Sequence, residues 1–423
     1  MISGRINGDL LCASRTRTTR TRGFAGPEQL RVDPAGAGDI DKDVRKLPLI
    51  LSLAAALVVG VVLTGCQKSG GPQSAETIKI GLAGAQTGSD GEIGLSMLNG
   101  SRVAIDEWNA KGGVLGKKIE TVVQDDEASG QKAVTVAQTL VDAGIIAVIG
   151  HFNSGCTIPA SRVYNDAKVV EISPGSTNPQ YTEQGFPYAF RICGRDDQQG
   201  AVIAAYLHDQ LKLSKIAILD DKTTYGEGLA KVVENIFTSK GGTVVMSQGI
   251  DKNDHDFRAN IAVLKGSGAE ALVWGGMYGQ GGPLCVQLRE AGLTFPFVSD
   301  DGCQDQKFVD TVGGSAQNVF ISFGRDYSNS PEAQTFVKKY KETYNRDVGS
   351  YSVYGYDAAN VLLTAIDKAQ STDAEKVAAV MKGQPFDTIQ GNIEFDAKGD
   401  LKVADYVIWT VKDGKLQELS STP

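Results

Sequence analysis

The sequence predicts an α/β fold: two doubly wound α/β lobes joined by a hinge that the chain crosses several times. Three observations carry this. From Glu76 onward, short apolar runs of strand character alternate with amphipathic helical stretches across short loops, the pattern of a parallel sheet covered on both faces. The rhythm runs to Cys193 and restarts after Arg195-Asp196-Asp197-Gln198-Gln199-Gly200, and each set has the size of one doubly wound domain. The residues beyond the second set are too few for a third domain, so they must pack back onto the first two, and that requires repeated crossings.

The elements follow in order. Ile78 to Leu82 reads as a strand, and Ile93 to Asn109 as a helix with Leu98, Ile105 and Trp108 on one side, ended by Gly112-Gly113. A strand at Ile119 to Val123 and a helix from Gln131 to Ala143 come next. Ala147 to Gly150 is a strand that bends into a helix opening at Ser154, and Val169 to Ser173 is a strand leading into Pro174-Gly175-Ser176-Thr177-Asn178-Pro179. Phe190 to Cys193 closes the first lobe. The second set reads as a helix to Leu211, strand Lys215 to Asp220, helix from Glu227, strand Thr243 to Ser247 and helix Phe257 to Lys265. It continues with strand Ala271 to Gly275, a helix from Pro283, strand Phe297 to Ser299, a short helix and strand Val319 to Phe323. Two long helices, Pro331 to Tyr344 and Tyr351 to Ala369, precede a strand near Ile393 to Phe395 and a closing hairpin at Asp413-Gly414.

At 423 residues, with 41% hydrophobic and 22% charged, the chain has ample material for two cores. Its net charge of −8 argues against nucleic acid, which needs clustered Lys and Arg; the one basic run, Arg15 to Arg22, precedes the fold. Met1 to Asp43 has no apolar periodicity, and the reading takes Val44 as the translation start. Arg45-Lys46, the apolar run Leu47 to Leu63 and Leu63-Thr64-Gly65-Cys66 form an export signal, too short for the about 20 residues of a spanning helix. Its ending resembles a bacterial lipobox, which implies cleavage before a lipidated Cys66 and a place on the outer side of the bacterial cell envelope. The expected organisation is leader plus signal at 1–65, a flexible tether at 66–75, a first lobe of 76–195 with 326–403, and a second of 196–325 with 404–423. Besides Cys12 and Cys66 there are four cysteines, Cys156, Cys193, Cys285 and Cys303. An even count in an exported chain suggests disulfides, and of the three connectivities open we expect Cys156–Cys193 and Cys285–Cys303, each within one lobe near neighbouring strand tips.

The chemistry sits at strand tips. Unpaired backbone N–H groups at a helix start carry the positive end of the helix dipole, so the strand-to-helix turn at Phe152-Asn153-Ser154 is a cradle for an anion. Gly175, Ser176 and Thr177 form a second tip one strand later, and two such tips side by side make a pocket; both also suit ordinary βα turns, which favour the same residues for capping. No G-x-G-x-x-G after a strand, no G-x-x-x-x-G-K-[ST] and no G-x-S-x-G occurs, and His151, His208 and His255 have no metal-ligand spacing. Asp125-Asp126-Glu127 and Asp220-Asp221 read as solvated charges at strand ends. We therefore expect a binding protein without cofactor or metal, and no enzyme.

Asp106-Glu107-Trp108-Asn109-Ala110-Lys111-Gly112-Gly113, Ile149-Gly150-His151, Asp197-Gln198-Gln199-Gly200 and Asp221-Lys222-Thr223-Thr224-Tyr225-Gly226-Glu227-Gly228 together resemble a branched-chain amino-acid (leucine/isoleucine/valine) binding protein of the type I periplasmic family, over Glu76 to about Leu419. The resemblance implies that Ser154 binds a ligand carboxylate, that the Gly175 backbone and the Thr177 hydroxyl meet the amino-acid head, that Tyr225 closes from the second lobe, and that Asp301 holds the ammonium. Met277 stands where an aromatic is usual, as does Ile93, while Phe152 and Tyr351 keep the pocket apolar; Asn153, Ser176 and Gln280 add polar neighbours. The bridge some relatives carry is absent, since Ala128 and Asn153 occupy its positions. The implied function is the lipid-anchored solute-binding component of an ABC importer, a monomer that hands a small aliphatic amino acid to permease subunits. A regulatory or sensor lipoprotein of the same fold is the alternative.

Overall fold

The computed structural model describes residues 77–419; the leader, the signal, Cys66 and the tether lie outside them, as do residues 420–423. The first part of the chain runs β1 (Ile78–Gly84), α1 (Gly91–Ala110), β2 (Ile119–Asp125), α2 (Gly130–Asp142), β3 (Ala147–Ile149), α3 (Ser154–Asp166), β4 (Val170–Ser173), α4 (Gln180–Glu183) and β5 (Ala189–Arg191). The second runs α5 (Asp196–Ala205), β6 (Lys215–Asp220), α6 (Thr224–Ser239), β7 (Thr243–Gly249), α7 (Arg258–Gly266), β8 (Ala271–Gly275), α8 (Tyr278–Glu290), β9 (Phe297–Ser299), α9 (Gln306–Val312) and β10 (Val319–Gly324). Then follow α10 (Pro331–Tyr344), α11 (Ser352–Ala369), α12 (Ala374–Gly383), the hairpin β11 (Phe386–Thr388) and β12 (Gly391–Ile393), and the hairpin β13 (Tyr406–Lys412) and β14 (Lys415–Glu418).

The first sheet is parallel, in the order β2-β1-β3-β4-β5, and the second repeats that order as β7-β6-β8-β9-β10 before adding β13 and β14 antiparallel. Two doubly wound lobes are thus present. Strands covered on both faces read as unbroken apolar runs, and Ile80, Leu82, Ile149, Ile172, Ile216, Ile218, Val273 and Val298 are all buried. Helix starts are fixed by side chains that accept an otherwise unpaired N–H: Ser129 from Lys132, Thr223 from Gly226, Ser330 from Ala333 and Asp373 from Lys376. After β10, α11 packs on α1 in the first lobe, and β13 then returns the chain to the second sheet. The α1–α11 crossing is close because it uses glycines: a Cβ on Gly100 would lie 2.0 Å from the Ser352 carbonyl oxygen, and one on Gly355 2.0 Å from that of Met97.

Several expectations need correction. α8 begins at Tyr278 rather than Pro283, so the Gly279-to-Gly282 run that reads as loop is helical and the proline lies inside. α12 was not expected, its segment being short and flanked by polar residues. The four cysteines Cys156, Cys193, Cys285 and Cys303 are free and buried, not bridged. Each fills its own niche: the thiols of Cys193, Cys285 and Cys303 point at the carbonyl oxygens of Ser176 (3.6 Å), Ser315 (3.7 Å) and Gly276 (3.8 Å). Burial pushes all four thiols up, Cys285 to about 11, so they are inert as nucleophiles. Asp126, Asp220 and Asp221 are buried rather than solvated; Asp126 takes the His151 Nδ1 contact at 2.6 Å.

Candidate functional site

Every candidate residue except Tyr351 follows the carboxyl end of a parallel strand, where open α/β sheets bind ligands. Asn153 and Ser154 follow β3, Gly175 to Thr177 follow β4, Tyr225 opens α6 after β6, Met277 follows β8, and Asp301 follows β9. Tyr351 precedes α11 and enters from the first-lobe side. Phe152, Asn153, Ser154, Gly175, Tyr225, Met277, Asp301 and Tyr351 line one small cavity with Gly302, leaving about 10 Å³ of free volume. Ser176 and Thr177 are buried beside it.

On the first-lobe side, Asn153 is the extended residue that caps the start of α3, four residues beyond β3, and Ser154 is the first helical residue. The Ser154 Oγ accepts from the Asn178 N–H at 3.3 Å and lies 3.4 Å from the Ser176 Oγ. Ser173 accepts from the N–H groups of Gly175 (3.4 Å) and Ser176 (3.0 Å) and donates to the His151 carbonyl at 2.7 Å, tying the two tips together. Arg191 holds the second tip from beneath. Fully buried, it pairs with Asp400 at 2.7 Å and donates to the carbonyls of Ser176 (2.6 Å) and Asn178 (3.0 Å). Gly175 is needed because a Cβ there would lie 2.4 Å from the Phe152 ring. That ring meets the Tyr351 ring edge-on at a centroid distance of 4.8 Å.

On the second-lobe side, the Tyr225 hydroxyl donates to the Asp301 carboxyl and accepts from the Gly302 N–H at 3.3 Å. Asp300 supports this turn, accepting from Gly302 N at 3.1 Å and Gly276 N at 2.8 Å. Burial pushes Asp301 up to about 6, against hydrogen bonds from Tyr225, Tyr351 and Gln199 that hold it down. Asp300 is raised by burial and by the Asp301 charge, and Asp196 is raised to about 7 by burial, with the Asp301 charge adding to it. Among the described residues no cation pairs with Asp301. The Asn153 Oδ1, which belongs to the cavity lining, and the Thr177 hydroxyl, the Gln199 Oε1 and both Asp196 oxygens are buried without hydrogen-bond partners, a costly arrangement.

The halves meet directly: Asn178 Nδ2 donates to the Thr224 carbonyl at 2.8 Å, the Tyr278 hydroxyl to that of Ser89 at 2.8 Å, and Lys307 pairs with Glu92 at 3.3 Å. The site therefore presents hydroxyls and helix-start N–H groups on one wall and a buried carboxyl on the other, the complement of a small zwitterion. Sequence reasoning missed Asp90, Asp196, Asp221, Asn178 and Gly302. Their polar types read as surface residues, and only the tertiary fold shows them buried. Among the described residues no helix is long and apolar enough to cross a membrane.

The sequence profile of the family described as "Periplasmic binding protein" matches residues 77–415. A Leu/Ile/Val-binding protein homolog of Brucella suis is 38% identical over 359 residues, covering 85% of this chain and 96% of its own. An amino acid binding protein of Pseudomonas aeruginosa is 39% identical over 374 residues, covering 88% and 97%. Among solved structures, a leucine binding protein of Thermotoga maritima has a TM-score of 0.76 at 28% identity, covering 81% of this chain and 98% of that one. A branched-chain amino acid transporter substrate binding protein of Streptococcus pneumoniae, in complex with isoleucine, has a TM-score of 0.75 at 28% identity with the same coverage.

Proposed function

The chain belongs to the periplasmic binding protein family, whose similar members are solute-binding proteins rather than enzymes, and from that premise we propose that it is the solute-binding component of an ABC importer. In this reading it is a monomer anchored through a lipidated Cys66 on the outer side of the cell envelope, and it delivers a small amino acid, of aliphatic or branched-chain type, to permease subunits. The observation that carries it is the placement of Ser154 and Asp301 on opposite lobes of one cavity. A zwitterion enclosed there must have both charges paired, or its burial is strongly unfavourable. Ser154, Thr177 and the nearby N–H groups would take the carboxylate; Asp301, with the Gly175 backbone, would take the ammonium. Phe152, Met277 and Tyr351 would pack on the aliphatic carbons, and Phe152 and Tyr351 leave little width. Ligand contacts from both lobes exist together only in the closed form, so binding would shift the population toward the form a permease recognises.

The relatives' names support the ligand class: one of Pseudomonas aeruginosa, 34% identical, is named for binding leucine, isoleucine, valine, threonine and alanine. The regulatory or sensor alternative gives no reason for this head-group set. A thermal-shift screen of the mature chain across L-amino acids and matched organic acids is the test. A cognate amino acid at 100 times its Kd should add about 2.7 kcal/mol of stability. Stabilisation only by ligands that lack an amino group would reject the reading.

A further inference from the structure

A second compartment adjoins the head-group cavity at Met277. Asn153, Tyr225 and Met277 line both, and the second has about 60 Å³ of free volume against the 10 Å³ around the head group. One water needs on the order of 10–15 Å³, so about four heavy atoms fit beyond Met277. Its walls carry acceptors. Asp90 is 6% exposed and Asp221 2%, and the hydrogen bonds to both carboxyls come from neutral groups. Asp90 accepts from the Ser89 hydroxyl (2.8 Å) and Asn153 Nδ2 (2.8 Å), while Asp221 accepts from the Thr223 N–H (2.9 Å) and hydroxyl (2.6 Å). The Asn153 Oδ1, turned away from that bond, is buried with no partner. The basic residues of the lining, Lys252 and His255, are exposed, and the Lys252 ammonium lies 3.4 Å from the Ala128 carbonyl. Burial pushes Asp221 up to about 6 against the Thr223 hydrogen bonds that hold it down, with the Asp90 and Asp220 charges adding to the rise.

Resting on the amino-acid reading above, we propose that the compartment beyond Met277 is a side-chain subsite for a short chain ending in a nitrogen donor, and that the ligand set extends beyond aliphatic amino acids to such donors. An aliphatic tail would leave the Asn153 oxygen without a donor and the two carboxyls with only their hydroxyl, amide and N–H partners, whereas a terminal amide or ammonium nitrogen would serve the Asn153 oxygen and add a donor to the carboxyls. Asparagine and leucine have nearly the same shape but asparagine adds an acceptor as well as a donor, and diaminobutyrate, whose tail only donates, separates the two.

Titration calorimetry of the mature chain with L-alanine, L-leucine, L-asparagine and L-2,4-diaminobutyrate tests this. The expected result is that asparagine, diaminobutyrate or both bind at least tenfold tighter than leucine, and that Asp90→Asn shrinks that ratio. Leucine binding as tightly as both donor-ended ligands, or more tightly, overturns the subsite and leaves the amino-acid reading standing. If none of the four binds, that reading falls and the subsite with it.

Discussion

Asp301 is one carboxyl on which the site's behaviour turns. Its folded value of about 6 lies above the ordinary carboxylate value of 3.8, as does that of Asp196 at about 7. Across that interval the unliganded fold binds more protons than the unfolded chain, so these two groups favour the fold at low pH and that contribution is lost as pH rises through about 6 to 7. An ammonium ligand has the opposite preference, since it needs Asp301 ionised. Its affinity should therefore be full near about pH 8 and fall by up to about tenfold per pH unit below about 6, which calorimetry across about pH 5 to 8 would read. Asp301→Asn removes one member of a buried charge pair and should cost about 2–5 kcal/mol of binding, at least tenfold in Kd. Unchanged binding would reject the ammonium role. Ser154, Gly175 and Thr177 were legible as candidates from their place at strand tips, although the same types suit ordinary βα turns, and Tyr225 and Asp301 were singled out only by the family resemblance. Their support was not: Asp196, Asp221 and Asn178 are types found mostly on surfaces, and only the fold buries them.

At the scale of elements, the alternation of strand and helix is legible from apolar runs and caps, and β9 and α10 have the bounds the pattern predicts. What the pattern hides is tertiary. Gly279 to Gly282 breaks a helix by propensity, yet the glycines let α8 pack against its neighbours: a Cβ on Gly281 would meet the Cys303 sulfur at 2.6 Å and one on Gly282 the Thr311 side chain at 2.9 Å. The cysteines were misjudged because an even count says nothing about direction, and here the thiols face carbonyls. Arg191 reads as an ordinary strand-end charge but holds the carbonyls of the second tip together with Asp400. Arg191→Met leaves the buried carbonyls of Ser176 and Asn178 without their donor, while Asp400 keeps its 2.7 Å pair with Arg195, and should cost about 1–3 kcal/mol of stability by urea unfolding. A loss within about 0.5 kcal/mol would show that the tip does not depend on it.

For the molecule as a whole, the two sheets with the same strand order place five strand tips around one cleft, and the chain passes between the lobes more than once. Repetition of element order made the two lobes legible without any repeat of residues. The anchor belongs to this scale too: mass spectrometry of the native protein's N-terminal peptide should find a lipidated Cys66, and an unmodified Cys66 would remove the anchor. The central claim is that both charged ends of one small amino acid are gripped across the cleft, one by each lobe. Calorimetry of the best amino-acid ligand against its N-acetyl and carboxamide derivatives tests it most directly. The account predicts that each derivative loses at least a hundredfold in affinity, because each leaves a buried partner without its charge; derivatives that bind as tightly as the parent would contradict it.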